Sequence, residues 1–243
     1  MKVLLLGGTG EARELAQLLV SAGVEVVSSL AGRTTDARLP VGEVRSGGFG
    51  GAAGLSRWLQ DHRVDAVVDA THPFAATMTA HAITASEELG VPLLVLRRPG
   101  WTAQAGDVWH RVGTAEAAAA LLPQLGLRPF LTIGRQGLAA FATTGLWTLA
   151  RCVDPPEPRP TWCTLILTRG PYDVPGELRV MRDHGIDILV TKDSGGPATA
   201  AKLEAARRLR IPVVLIERPP LPAGLTTVNT TAEVLDWIKH RPR

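Results

Sequence analysis

The chain begins MKVLLLGGTGEARELAQLL (residues 1–19), and this stretch decides the fold class. Four apolar residues follow Lys2, then the turn Gly7-Gly8-Thr9-Gly10, and then a helical pattern. A buried strand, a glycine-rich turn and a helix in this order are typical of the first unit of a dinucleotide-binding α/β domain. The turn departs from the usual G-x-G-x-x-G spacing, because its third glycine position is not evident.

The same strand, turn and helix pattern repeats along the whole chain. Most strand candidates are continuous apolar runs, as expected for strands buried on both faces of a parallel sheet. The predicted strands cover 3–7, 24–30, 65–70, 92–97, 129–134, 146–151, 164–169, 187–192 and 212–217. The predicted helices cover 10–22, 51–61, 74–89, 114–122, 136–142, 173–184, 197–209 and 231–240.

Two domains are expected, because residues 98–112 interrupt the periodic pattern with Pro99 and Gly100. We predict an α/β protein of two Rossmann-like parallel-sheet domains with a crevice between them. Residues 1–98 would form an NADP-binding domain, and residues 99–243 a second domain that contributes substrate binding. A single nine-stranded sheet is the alternative.

The composition indicates an ordinary globular chain, with 45% hydrophobic and 20% charged residues among 243. No apolar run approaches the roughly 18 residues that span a membrane, and the first residues enter a strand with no basic region before it, so we expect no signal peptide. We therefore expect a cytoplasmic protein with no membrane partner. Cys152 and Cys163 lack metal-ligand spacing, so no metal is predicted.

The net charge is +3, and only four of the 26 basic residues are lysines. Arginine binds carboxylates and phosphates through paired hydrogen bonds, although a compositional bias of the source genome is an equal explanation. No nucleic-acid motif or long basic run is present, so no nucleic-acid partner is expected. The sequence leaves monomer and homodimer both open.

The glycine turn predicts a pyrophosphate site. Gly8, Thr9 and Gly10 are the cradle candidates, because the helix that follows supplies free N–H groups and a positive dipole end. Thr9 could also donate its hydroxyl. Glu11 could favour the helix dipole or contact a ribose or substrate group. The alternative is that the turn is only a tight bend.

The end of the second predicted strand favours NADPH. NAD-preferring sites usually place an acidic residue there for the ribose 2′-hydroxyl, and residues 28–34 contain none. Ser29, Arg33 and Thr34 are present instead, and a hydroxyl with an arginine suits a 2′-phosphate. The alternative is that Arg33 is a solvated loop residue.

A second loop, Thr71-His72-Pro73, opens at the same edge as the glycine turn if the sheet is parallel. Thr71 or His72 would lie near the nicotinamide, with Pro73 near the first position of the next helix. His72 could donate a proton, because histidine titrates near neutral pH. Alternatively, His72 caps the helix or binds the backbone.

Basic residues follow four strands in the second half of the chain. If those strands are parallel, their side chains converge on one edge and suit an anionic ligand with several carboxylates. The four are Arg135, Arg169, Lys192 and Arg218.

The stretch Lys192-Asp193-Ser194-Gly195-Gly196 concentrates ionisable groups at a loop. Lys192 or Asp193 could move a proton, and the two glycines permit unusual backbone angles. The alternative is that Asp193 and Ser194 only organise the turn.

Four segments together resemble the precorrin-6A reductase family of cobalamin biosynthesis. They are GGTGEAREL (7–15), DATHPFA (69–75), IGRQGLAAF (133–141) and TKDSGG (191–196), continuing to residue 219. The resemblance implies a two-domain α/β fold and NADPH-dependent reduction of precorrin-6A, a macrocyclic tetrapyrrole, to precorrin-6B. A hydride would reach one ring carbon and a proton its neighbour.

The resemblance also implies roles for particular residues. Gly8 to Glu11 and Arg33-Thr34 would bind the cofactor, while Thr71 to Pro73 and Lys192 to Gly195 would line the reaction centre. The tetrapyrrole carboxylates give a purpose to the basic row and its neighbours, namely Arg135, Arg169, Lys192, Ser194, Gly195 and Arg218.

Three other classes of protein compete with this interpretation. A short-chain dehydrogenase or epimerase needs Tyr-x-x-x-Lys, but the sole tyrosine, Tyr172, has Gly176 four residues on, so this class is excluded. A cobalt-precorrin reductase acting on a metal-containing substrate stays open. So does a non-catalytic protein that senses NADPH.

Overall fold

The computed structural model describes residues 1–32 and 38–241 and contains two compact units. Residues 1–99 and 219–243 form unit 1, and residues 100–218 form unit 2. The strands are β1 (Lys2–Leu6), β2 (Glu25–Leu30), β3 (Glu43–Ser46), β4 (Ala66–Asp69), β5 (Leu93–Leu96), β6 (Trp109–Val112), β7 (Pro129–Thr132), β8 (Leu149–Cys152), β9 (Thr164–Leu167), β10 (Ile188–Lys192), β11 (Val213–Ile216) and β12 (Thr227–Val228).

Helices connect most of these strands. The α-helices are α1 (Gly10–Ser21), α2 (Ala52–Asp61), α3 (Ala76–Leu89), α4 (Ala115–Leu125), α5 (Val174–Asp183), α6 (Ala201–Leu209) and α7 (Thr231–Lys239). Two 3₁₀ helices cover Arg135–Phe141 and Pro197–Thr199, both at positions where the sequence pattern predicts ordinary helix.

Unit 1 contains one six-stranded sheet in the order β3-β2-β1-β4-β5-β12, and all of its pairs are parallel. This is the Rossmann order 3-2-1-4-5-6, with the C-terminal β12 as the sixth strand. The chain reverses direction across the sheet between β1 and β4. In such sheets ligands bind beyond the carboxyl ends of the strands at this switch point.

Unit 2 repeats the same order with a different sixth strand. Its parallel sheet runs β9-β8-β7-β10-β11-β6, so the switch point lies between β7 and β10. Here the sixth strand, β6, precedes the other five in sequence. The segments IGRQG and TKDSGG therefore lie at the ends of the two switch-point strands.

The alternation of side chains along β1 explains the layered core of unit 1. Val3 and Leu5 pack on one face with residues of α1 and α7, whereas Leu4 and Leu6 pack on the other with α2 and α3. All four side chains are at most 1% exposed. Helices thus cover both faces of the sheet, which is why the strands are continuous apolar runs.

The predicted class, two Rossmann-like α/β domains, is confirmed, and the single nine-stranded sheet is wrong. The structure corrects the predicted extent of the second domain, because residues 219–243 return to unit 1. β12 pairs with β5, and Val234 and Ile238 of α7 are buried in the core with α1. Among the described residues, no helix is both long and apolar enough to cross a bilayer.

Because α7 completes the core of unit 1, Ile238→Ala is expected to lower the free energy of unfolding of that unit by about 2–5 kcal/mol. The matched control is Lys239→Ala, whose side chain is exposed. Hydrogen exchange measured by mass spectrometry should show faster exchange in β1 and β4. Acceleration confined to β7 and β10 would contradict the assignment of α7 to unit 1.

Candidate functional site

The glycine turn after β1 packs closely against α1 and β2 at Gly7 and has open space beside Gly8. Gly7 donates its N–H to the Ser29 carbonyl of β2 at 2.9 Å, and a Cβ at Gly7 would lie 3.4 Å from the Ala12 Cβ. Gly8 has φ 108°, a value that favours glycine. A Cβ added at Gly8 meets nothing within 4 Å, so space beside the turn is open.

Thr9 is the N-cap of α1, and its hydroxyl proton is already donated within the protein. The Oγ1 accepts the Ala12 N–H at 3.0 Å and donates to the Ala70 carbonyl at 2.9 Å. The prediction that this hydroxyl donates to a pyrophosphate is therefore corrected. The N–H groups of Gly10 and Glu11, in the first turn of α1, are the donors that the helix presents to a ligand.

Glu11 forms an ion pair with Arg98, a partner that the motifs do not indicate. The Arg98 Nη1 and Glu11 Oε2 atoms are 2.7 Å apart, with 17% and 30% of the side chains exposed. Both residues line a concavity with Thr9, Thr71 and Pro73. Arg98 compensates a carboxylate that would otherwise repel an anion at the helix N-terminus.

The loop after β4 is organised by Asp69, a residue that was not predicted to have a role. Asp69 is 2% exposed. Its carboxylate accepts the Thr71 N–H at 3.0 Å, the Thr71 hydroxyl at 2.6 Å and the Thr79 hydroxyl at 2.6 Å. Its position as an acid at the end of a buried strand was the available signal. The Thr71 hydroxyl thus supports the loop, while the residue still lines the concavity.

His72 makes the backbone contacts that the alternative interpretation expected. Its Nδ1 accepts the Phe74 N–H at 3.3 Å, which leaves Nε2 as the protonated nitrogen of the neutral ring. Its carbonyl accepts the Ala75 N–H at 2.7 Å, so Pro73 lies inside a tight turn. α3 begins at Ala76, and the prediction that Pro73 stands near its first position is wrong.

At the end of β2, the Ser29 hydroxyl is buried and accepts a hydrogen bond from Arg45 at 2.8 Å. Arg45 lies on β3, a strand the apolar pattern did not indicate. Arg33 and Thr34, the other residues predicted at this position, lie outside the described residues.

The four basic residues predicted to converge lie at or just beyond the carboxyl ends of parallel strands, so they lie at one edge of the sheet of unit 2. Their strands, β11, β10, β7 and β9, occupy neighbouring or nearly neighbouring positions. Arg135 donates to the Pro155 carbonyl at 3.4 Å, and the Arg218 Nε donates to the Asp193 carbonyl at 2.7 Å. Arg169 is exposed and follows β9.

Asp193 is 7% exposed, and its carboxylate is surrounded by donors. Oδ1 accepts the Trp101 N–H at 3.0 Å. Oδ2 lies 3.8 Å from the Arg111 Nη1 atom and 4.0 Å from the Arg218 Nε atom. A Cβ at Gly100 would come within 2.7 Å of Oδ2. These contacts fix the chain at Gly100 and Trp101, so they give Asp193 a positioning role.

Lys192 is the last residue of β10 and is half-buried. Burial lowers the pKa of its ammonium group. The Ser194 N–H donates to the Lys192 carbonyl at 2.7 Å, closing a tight turn. Gly195 and Gly196 continue it with φ 65° and 74°, which explains why glycine is needed there.

A buried ionic cluster in unit 2 was not predicted. Arg151 of β8 and Glu177 of α5 form an ion pair at 2.6 Å, and the Arg151 guanidinium lies 3.8 Å from the Tyr172 ring centroid. Lys202 of α6 is 3% exposed. Burial, assisted by the charge of Arg151 and opposed by Glu177, lowers the pKa of Lys202 to about 7.

Within residues 1–32 and 38–241, no group of three or more His, Cys, Asp or Glu side chains is arranged to hold a metal ion. Cys152 and Cys163 are free thiols, and burial raises the pKa of each. A raised pKa keeps a thiol protonated near neutral pH, so neither cysteine is a candidate nucleophile.

The protein is a two-domain α/β protein, with one Rossmann-like sheet in each domain and a sequence motif at the switch point of each sheet. Comparisons with known proteins define its family. The family described as Precorrin-6x reductase CbiJ/CobK matches residues 2–239. A precorrin-6A reductase from Rhodococcus erythropolis is 56% identical over 240 residues, 98% of this chain and 97% of the relative. A cobalt-precorrin-6A reductase from Priestia megaterium is 27% identical, covering 99% of each chain.

A solved structure described as CobK precorrin-6A reductase superposes with a TM-score of 0.91. It is 44% identical and is matched over 98% of this chain and 96% of its own. The chain therefore belongs to the precorrin-6x reductase family, a family of oxidoreductases. The resemblance inferred from the four motifs is confirmed.

The buried Lys202 predicts an unusual dependence of stability on pH. Between pH 7 and its ordinary pKa of 10.5, the unfolded chain binds this proton and the folded chain does not. The contribution of Lys202 to the free energy of unfolding should therefore rise with pH by about 1.4 kcal/mol per unit in that window.

Urea unfolding of Lys202→Met and of the wild type, measured from pH 7.5 to 10, tests this dependence. The stability of the variant relative to the wild type should fall steadily as the pH rises. Lys239→Met, which alters an exposed lysine, should run parallel to the wild type. Parallel profiles for Lys202→Met would refute a neutral buried Lys202.

Proposed function

We propose that the protein reduces precorrin-6A to precorrin-6B with NADPH in cobalamin biosynthesis. In the balanced reaction, precorrin-6A, NADPH and one proton give precorrin-6B and NADP⁺. A hydride adds to one ring carbon and a proton to its neighbour. The observation that carries the proposal is the near-full-length similarity to a relative named for this activity at 56% identity.

The turn after β1 fits the pyrophosphate of the cofactor. Gly8 and Gly10 leave the backbone accessible, since an added Cβ at Gly10 meets only the Arg13 side chain at 3.8 Å. The N–H groups of Gly10 and Glu11 would bind the phosphates at the positive end of α1. Bound NADPH supplies the hydride. Thr9 contributes by holding the turn in place.

The end of β2 supports NADPH over NADH. β2 ends with Ser28, Ser29 and Leu30, where an NAD-binding site would carry an acid, and an arginine lies against Ser29. Arg33 and Thr34 remain proposed contacts of the 2′-phosphate.

The loop after β4 would contact the nicotinamide end of the cofactor. β4 pairs with β1, so Thr71, His72 and Pro73 follow the strand next to the glycine turn. Asp69 fixes the loop through Thr71. His72 is a candidate proton donor in its imidazolium form, because histidine titrates near neutral pH.

Unit 2 would bind the carboxylate groups of the substrate. The acetate and propionate groups of a tetrapyrrole suit charge-assisted bonds to a basic edge, with Ser194 and Gly195 shaping the loop there. The residues proposed for these bonds are Arg135, Arg169, Lys192 and Arg218. Lys192 is a second candidate proton donor, because its lowered pKa makes the ammonium group a stronger acid. Asp193 is proposed to position this loop rather than to transfer a proton.

The direct test is to mix purified protein with either precorrin-6A or cobalt-precorrin-6A, and with either NADPH or NADH. NADPH absorbance should fall by one equivalent per macrocycle, and kcat/KM should be at least about 10-fold higher with NADPH than with NADH. Binding of NADPH without oxidation would instead indicate a sensor. Turnover only with cobalt-precorrin-6A would indicate the metal-containing substrate.

The same assay with His72→Gln and Lys192→Met identifies the proton donor. Loss of the donor should lower kcat by about 10²- to 10⁴-fold, whereas loss of a binding contact should act mainly on KM. Lys239→Met, on an exposed helix position, is the matched control for Lys192→Met. If both variants keep wild-type kcat, neither residue is the donor.

A further inference from the structure

Arg45 lies at the carboxyl edge of unit 1 with its guanidinium held in a fixed plane. Its partner across the β2–β3 ladder is Ser29. Nη1 donates to the Ser29 hydroxyl at 2.8 Å and to the Gly47 carbonyl at 3.0 Å, and Nη2 donates to the Gly48 carbonyl at 3.1 Å. The guanidinium carbon lies 3.7 Å from the centroid of the Phe49 ring.

The charge of Arg45 has no counterion among the residues that the structure describes. Its hydrogen bonds go only to neutral oxygens, and none of the ion pairs found in residues 1–32 and 38–241 includes it. The side chain is half-buried, and desolvation lowers its pKa. A cation that is partly removed from water and bonded to neutral groups is a favourable partner for an anion.

The surroundings of Arg45 leave room for such an anion. A Cβ added at Gly47 or Gly48 would meet nothing within 4 Å. The bonds above do not use the Nε–H or the second Nη2–H of Arg45, and two donors of one guanidinium suit a phosphate.

Ser29 connects Arg45 to the cofactor turn. Its hydroxyl accepts from Arg45, while its carbonyl accepts the Gly7 N–H at 2.9 Å. Arg45 lies on β3, the edge strand next to β2, whereas β4 lies on the other side of β1. With a pyrophosphate at the glycine turn, the adenosine ribose extends toward the end of β2.

We infer that Arg45, held by Ser29 and Phe49, binds the 2′-phosphate of NADPH and sets the preference for NADPH over NADH. The inference rests on the proposed function, because it assumes a dinucleotide at the glycine turn. It adds a specificity-determining residue to Arg33, the arginine that the sequence pattern indicates for this role.

The test compares adenosine 2′,5′-bisphosphate (2′,5′-ADP) with 5′-AMP, which differ only in the 2′-phosphate. Isothermal titration calorimetry on the full-length protein should show that the wild type binds 2′,5′-ADP at least about 10-fold more tightly. Arg45→Gln should remove most of this preference and leave the affinity for 5′-AMP within about 2-fold of the wild type. Arg57→Gln, an exposed arginine of α2 in the same unit, should keep the preference.

Arg45→Lys provides the same test if Arg45→Gln does not fold. It keeps the charge but not the paired donors, so the preference should fall by about 3- to 10-fold. An unchanged preference in the Arg45 variants, or an equal loss for both ligands, would overturn the inference while the cofactor proposal stands. A wild type that does not distinguish the two ligands would overturn the choice of NADPH itself, and the role of Arg45 with it.

Discussion

The hydroxyl of Thr9 ties together the parts on which the candidate site of unit 1 depends. In one position it caps α1 through the Ala12 N–H and binds the carbonyl of Ala70, just beyond β4. The end of β4 and the start of α1 are therefore fixed to each other at the switch point. Because Thr9 is 8% exposed, these bonds form where water competes little. The glycines on either side of Thr9 keep the backbone open, and Gly7 adds a bond to β2.

The two units share a strand order, but they differ in the segment that follows the third strand along the sheet, which is β1 in unit 1 and β7 in unit 2. In unit 1, β1 leads into α1, whose N-terminus offers backbone N–H groups to an anion. In unit 2, β7 leads into a 3₁₀ helix, and the edge carries cationic side chains instead. This contrast is consistent with a phosphate-bearing cofactor on unit 1 and a polycarboxylate substrate on unit 2.

Local pattern predicted most of the fold, because strands buried on both faces leave long apolar runs. The pattern missed β3, β6 and β12, which are four, four and two residues long and only partly buried. Missing β3 also concealed Arg45. The return of the C-terminus to unit 1 could not be predicted either, since helix α7 was recognised but its packing partner α1 lies far away in sequence.

The motifs indicated where the candidate site lies, but not which side chains are available. The hydroxyls of Thr9 and Thr71 donate to Ala70 and Asp69 within the protein. The carboxylate of Asp193 accepts the Trp101 N–H. The partner of Glu11 is Arg98, 87 positions away, which spacing alone cannot reveal. Lys202 stands in a charged helical stretch typical of a solvated face, and only tertiary packing shows that it is buried.

A crystal structure of the chain with NADP⁺ bound tests the central claim most directly. The account predicts the pyrophosphate within hydrogen-bond distance of the Gly10 and Glu11 N–H groups, with the adenosine over the end of β2. Cofactor bound at the β7–β10 switch point of unit 2, with the glycine turn of unit 1 empty, would contradict it.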